Sequence, residues 1–350
     1  MYQQFSGNMH TSIEISHQLL QLAENLKDDG LVREARRSLG SVLILSGQSS
    51  EALDQLEKST ALYARNPDQC NRIFFSFDSK VIVETFTGLA LLQLGYPDRS
   101  AERLSGGLAL ARELGHPETL VVAAHVAAQI HQQRGEPHLT RVFAKEALDV
   151  AEEYGFSLWV TFGLIELGWA EAELGDAEGI EKMRRGLAQY ELTGAKLRFP
   201  YLLGLLADQL SKAGWLDEAF EVITKALTLA EQTGEGYVVS ELHLIKGELF
   251  LNSGKLIKAG KLPGESSELS TQMQARACFA EALAVAKRQR TKYWELKAAL
   301  SMYRLDLMLG NSNHNQLAEI YSCYTEVFET QDLRATKAIL DGNAVLANAR

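Results

Sequence analysis

A chain of 350 residues with 46% hydrophobic and 23% charged side chains belongs among foldable globular proteins, and its six prolines leave room for a mostly helical backbone. A net charge of −10 supplies no overall positive field for phosphate backbones, so no nucleic-acid partner is expected. Cys70, Cys278 and Cys323 are too scattered for a disulfide framework or a zinc site, and neither a signal peptide nor a long apolar span is present, so a cytoplasmic protein without membrane contact is expected.

From residue 10 to 27, apolar residues recur at Ile13, Ile15, Leu19, Leu20, Leu22, Ala23 and Leu26, which predicts an N-terminal helix closed by a turn at Asp28-Asp29-Gly30. Residues 31–46 and 49–65 then form a helix pair about Gly47, with Gly40 seven positions before it and Ala52 five after. The period breaks at 66–79, where Phe74, Phe75 and Phe77 mark an excursion that either plugs the neighbouring helices or serves as a functional loop. From Lys80 the pulse is regular: turn glycines at Gly95, Gly135, Gly175 and Gly214 are 40, 40 and 39 residues apart, each seven after a small residue (Gly88, Ala128, Gly168, Ala207). A second set, Gly115, Gly155, Gly194 and Gly234, keeps the same time and follows Gly107, Ala147, Gly186 and Ala226 by eight. Each unit therefore holds two helices.

Gly254 is read as the next turn glycine, seven after Gly247, and 255–271 as a flexible loop. Residues 275–290 restore the second helix of that unit, with Arg290 standing where glycine is expected. The last pair is placed at 293–309 and 316–329 around Gly310-Asn311, and 333–347 closes the array as a cap with a polar outer face at Arg334, Lys337 and Asp341. The whole chain reads as one solenoid: an N-terminal helix over 1–30, regular repeats over 31–254, and the last repeats and cap over 272–350.

Small residues are needed where paired helices cross, because they permit an interaxial approach of about 8 Å, and glycine is needed where the chain leaves one helix for the next. Units with a small residue, a turn glycine seven later and an alanine five after that (Gly47 with Ala52, Gly214 with Ala219) resemble tetratricopeptide repeats. The resemblance implies an all-α, right-handed superhelix of about seven antiparallel helix pairs with a period of ~40 residues, longer than the usual ~34. Longer phrases, including LALLQLGYPDRSAERL, LGWAEAELG, TGEGYVVSELHLIKGELFL and ACFAEALAVAKRQRTKYWELKAALSMYRL, resemble the C-terminal repeat region of bacterial signalling proteins in which a nucleotide cyclase or DNA-binding domain precedes a regulatory ATPase. In that family the repeats serve sensing and protein contact. The chain departs from it at Tyr303, where a small residue is usual, and in the turn Gly310-Asn311-Ser312-Asn313-His314.

No motif brings chemistry. The stretch from Gly247 to Gly254-Lys255 has the wrong spacing for a phosphate loop, and Leu256 replaces the required hydroxyl. Among His116, His125, His131 and His138 no pair has the i, i+4 spacing that would place two metal ligands on one helix face. The expectation is a non-enzymatic protein with no cofactor or metal, and nothing in the sequence favours self-association.

What remains is a surface. The first helix of each pair lines the inner wall of a solenoid, and the residues flanking its small position there are His125, Gln129, Gln132, Trp169, Glu173, Tyr201, Asp208, Glu241 and Glu248. Such a wall suits a peptide or partner helix anchored on Trp169 and Tyr201, although ordinary packing between helices would place aromatics there too. Lys246 stands where other units carry leucine, which calls for an ion pair with Glu241, Glu248 or a neighbouring helix, or for a ligand. The alternative to a peptide groove is a metabolite sensor controlling a cyclase, ATPase or transcription regulator; a small, polar, enclosed pocket would favour it.

Overall fold

The computed structural model describes residues 8–65, 77–259, 268–326 and 330–342. Among them are sixteen α-helices and no strand: α1 (Met9–Leu26), α2 (Asp29–Leu45), α3 (Ser49–Arg65), α4 (Ser79–Leu94), α5 (Pro97–Leu114), α6 (Pro117–Gln133), α7 (Pro137–Tyr154), α8 (Ser157–Glu173), α9 (Glu178–Leu192), α10 (Phe199–Ala213), α11 (Leu216–Thr233), α12 (Val239–Lys258), α13 (Glu268–Gln289), α14 (Lys292–Met308), α15 (Asn315–Tyr321) and α16 (Gln331–Leu340). Seven pairs run from α2/α3 to α14/α15, with α1 ahead and α16 behind. This is the tetratricopeptide-like α-solenoid that the repeat predicts.

The local chemistry is that of the sequence reading. Every turn glycine from Gly47 to Gly234 has positive φ, from 62° at Gly115 to 91° at Gly95, where a side chain would be strained. Pro97, Pro117 and Pro137 open α5, α6 and α7, where a missing N–H costs nothing. Arg290 adopts φ 56°, taking up the left-handed turn of the glycine it replaces. At Gly168 an added methyl would overlap the Gly179 carbonyl and Met183 of α9, so the small positions do mark helix crossings.

Several boundaries differ from expectation. Gly254 is no turn: α12 runs on to Lys258, and a methyl at Gly254 would meet the Thr271 hydroxyl of α13. Close packing rather than chain reversal explains that glycine. Of the 255–271 loop, 255–258 and 268–271 are therefore helical, and 260–267 lie outside the described residues. The excursion at 66–79 falls largely outside them too, apart from its end at 77–79. Gly30 already lies inside α2, whose N-cap is Asp28, accepting from the Leu31 N–H at 3.1 Å. In the last pair the second helix, α15, spans only Asn315–Tyr321, and the cap α16 ends at Leu340 with Arg334 and Lys337 exposed.

The winding is where the structure adds most. Gly47 packs on Gly236, Gly95 on Lys292 and Gly135 on Gln331, offsets of 189, 197 and 196 residues. Five units of 39 residues complete one turn of the superhelix, and the second turn rests on the first. Polar contacts tie the turns: the Asp98 N–H donates to Glu326 at 2.8 Å, Arg99 pairs with Glu326 at 2.9 Å, and the Tyr293 hydroxyl donates to the Gln133 carbonyl at 2.5 Å. One apolar cluster accordingly joins Leu39, Leu92 and Ile130 to Phe279, Trp294 and Leu333. The inner helices α4, α6 and α8 are buried on most of their faces, whereas outer helices such as α7 bury a single stripe.

A candidate ligand cleft inside the superhelix

Tight winding fills the axis instead of leaving an open groove. His125 lies 1% exposed with its Nδ1 2.7 Å from Glu166, and burial holds its imidazole below the ordinary value against the pull of Glu166. Gln129 accepts from the guanidinium of Arg198, itself buried, and both oxygens of Glu235 accept from the Arg198 backbone N–H, at 3.0 and 2.9 Å. Burial pushes the Glu235 carboxyl up to about 8. These groups form a polar axis sealed from water, the opposite of an accessible wall at His125 and Gln129.

One cleft of about 540 Å³ opens from this interior, bounded by α6, α8, α10, α12, α14 and α16. Six of the expected wall residues line it: Gln132, Trp169, Glu173, Asp208, Glu241 and Glu248. Tyr201 sits just beneath, donating from its hydroxyl to Gln132 Oε1 at 3.1 Å, and Gln132 in turn donates to Glu241 at 3.2 Å. The Trp169 indole N–H reaches Asp208 at 3.3 Å, and Lys212 bridges Asp208, at 2.8 Å, and Glu173.

Lys246 is the exception. At 100° per residue it lies about 140° around α12 from Glu241 and about 200° from Glu248, so it cannot share their face. It is half-buried on the side of His243 and Cys278 and forms no ion pair among the described residues, which corrects the expected salt bridge. Its long stem lets the ammonium reach water.

The remaining charged and aromatic lining was not foreseen: Arg134, Lys212, Trp294, Lys297, Arg304 and Asp332. Lys297 donates to the Gln133 carbonyl at 2.7 Å, pairs with Asp332 at 3.6 Å and lies 5.3 Å from the centre of the Trp294 ring. Arg134 pairs with Glu136 at 2.9 Å, and Arg304 and Glu248 are engaged as well. Two residues of the lining bury a polar group that finds no hydrogen-bond partner, the second carboxylate oxygen of Glu241 and the indole N–H of Trp294; the Nε of Arg304, a residue engaged elsewhere, is likewise not hydrogen-bonded. Burial pushes the Glu241 carboxyl up to about 7 while the Lys297 ammonium pulls it down.

A larger hollow of about 750 Å³ lies outside, between α7 and α8. Apart from the exposed Arg141, its charges are spent on Lys145–Asp149, Arg112–Glu146 and Lys182–Glu171, and none of its lining residues holds an unpartnered buried polar atom. Among the described residues no three His, Cys, Asp or Glu side chains gather as a metal site, and no helix is long and apolar enough to cross a membrane.

No protein-family model matches the chain. An uncharacterized protein of Rhizobium meliloti (strain 1021) is 28% identical over 212 residues, which is 60% of this chain and 20% of that protein. The chain thus spans about a fifth of the length of the curated relative it matches. Among solved structures, the human IFIT1 dimer with PPP-AAAA aligns at a TM-score of 0.51 and 18% identity, over 96% of this chain and 78% of that one. A monomeric IFIT1 mutant with Gppp-AAAA aligns at 0.42 and 14%, over 90% and 75%. The class is therefore a helical-repeat, tetratricopeptide-like solenoid.

Proposed function

We propose that the chain is a non-enzymatic sensing module that takes a small polar ligand into the cleft and reports it through the packing of one superhelical turn on the next. The observation that carries this reading is the closure of the interior. An extended peptide laid along the inner wall would have to displace the contacts of Tyr293, Lys297 and Glu326 with the first turn, whereas a small molecule enters the cleft as it stands. The cleft is lined by α6 of the first turn and by α12, α14 and α16 of the second, so a ligand there touches both. Such a ligand has differential contacts with tight and relaxed windings, which is what a sensor requires.

The resemblance to repeat regions of bacterial cyclases and transcription-regulator ATPases, together with a Rhizobium relative of which the matched stretch is only 20%, supports a regulatory module of a cytoplasmic bacterial signalling protein. The ion-paired state of the cleft's Lys212, Lys297 and Arg134 supports binding rather than catalysis. One fold neighbour carries PPP-AAAA, so the exclusion of nucleic acid rests on charge alone: Glu173, Asp208, Glu241, Glu248 and Asp332 line the cleft beside Arg134, Lys212, Lys297 and Arg304.

The test is equilibrium dialysis of the protein against a bacterial metabolite extract, with mass spectrometry of what is retained, on the wild type and on Ser301→Trp, which puts a bulky ring into the cleft. A small molecule retained by the wild type and lost in the variant supports the reading. Retention of none, or tight binding of PPP-AAAA, overturns it.

A further inference from the structure

The unmet polar atoms of the cleft indicate the class of its ligand, an inference that rests on the small-ligand reading above. Glu241 is 9% exposed, with one oxygen accepting from Gln132 and the other from nothing. Trp294 is 1% exposed, and its N–H donates to nothing. A buried polar atom without a partner costs free energy that a complementary ligand atom recovers on binding. Other polar groups of the lining are already served: Lys212 by Asp208 and Glu173, Lys297 by Asp332 and the Gln133 carbonyl, Trp169 by Asp208. At Glu241 and Trp294 the site lacks one donor and one acceptor respectively.

We propose that the cleft binds a small zwitterion of the amino-acid class, its ammonium on the free oxygen of Glu241 and its carboxylate on the indole N–H of Trp294. Lys297 supports the pairing because its ammonium lies beside the Trp294 ring, where it favours an anion. A bare carboxylate would meet the repulsion of Glu241, Glu248 and Asp332, and a bare amine would leave the indole N–H unmet beside Lys297. Trp169 offers an apolar face for a side chain. A volume of about 540 Å³ accommodates an amino acid with water and excludes a long peptide.

The experiment is calorimetric titration of the full chain with each of the twenty standard amino acids, and of any that binds against its decarboxylated amine and its deaminated acid. At least one amino acid binds, and its amine and acid bind at least about tenfold more weakly. Glu241→Gln, which keeps the shape and removes the charge, loses about tenfold or more. Trp294→Phe, which removes the N–H and keeps an aromatic ring, loses several-fold. Should Trp294→Phe fail to fold, Glu241→Gln carries the test alone. The inference is overturned if no amino acid binds, if the amine or acid binds as tightly, or if Glu241→Gln binds like wild type. A molecule of another class, retained from the extract and lost in Ser301→Trp, would then leave the cleft as a ligand site while removing this ligand class; no retained molecule removes both.

Discussion

Glu241 and Glu235 are carboxyls whose burial links proton binding to folding. In the folded chain Glu241 titrates at about 7 and Glu235 at about 8, against an ordinary 4.5. Between those values the folded chain holds protons that the unfolded chain has released. Their contributions are complete below the ordinary value and disappear as pH rises through 7 and 8 respectively. At ~1.36 kcal/mol per pH unit, Glu241 accounts for about 3 kcal/mol of that loss. Urea unfolding should therefore show wild type weakening from pH 5 to pH 9, and Glu241→Gln weakening less over the same range, by about 3 kcal/mol. Equal slopes for the two proteins would show that Glu241 is not buried as described. His125 acts at the other edge: held neutral by burial, it withdraws stability as pH falls below the ordinary imidazole range.

The turn between α13 and α14 shows how far a repeat pattern carries. Arg290 occupies a glycine's place at φ 56° with an exposed side chain, so Arg290→Gly should raise stability by about 1 kcal/mol in thermal or urea unfolding; a loss would mean the arginine makes a contact that outweighs its backbone strain. On α1 the stripe Ile15, Leu19, Leu22 and Leu26 is exposed, most of all at Leu22 and Leu26, so Leu22→Glu and Leu26→Glu should change the stability by no more than about 0.5 kcal/mol each in urea unfolding. Pair, turn and crossing were legible because glycine and small residues obey local rules. The position after each small residue gave Gln129, Trp169, Asp208 and Glu248, and the same register continues to Arg304, which lines the cleft. That step was hidden because Tyr303 fills the place of the small residue. Lys212, five after Ala207, was likewise within reach of the register that names Glu173, five after Gly168. Lys297, six before Tyr303, was within reach of the register that names Tyr201 and Glu241, six before Ala207 and Gly247, whereas Trp294 was not, since it lies nearer the start of α14, where only the winding brings it to the first turn.

That winding has no local signature: it follows from the small rotation each unit adds, and contacts between residues 189 to 197 apart are its outcome. It also changes how the molecule should unfold. An open repeat array is held by nearest-neighbour interfaces, so damage at one end stays there. Here α14 is packed against the end of α6, with Tyr293 2% exposed and donating to Gln133, and α4 shares the apolar cluster with α14 and α16. Tyr293→Ala removes a buried aromatic at a cost of about 3 to 5 kcal/mol by comparison with other large-to-small core changes. In a stacked superhelix that loss is felt on both turns. Native-state hydrogen exchange should therefore show reduced protection in α4 and α6 as well as in α14, with α8 and α9, which lie half a turn away, affected least. If protection falls in α12 to α16 alone, the two turns are energetically independent, and a ligand in the cleft would have no packing between turns through which to be sensed.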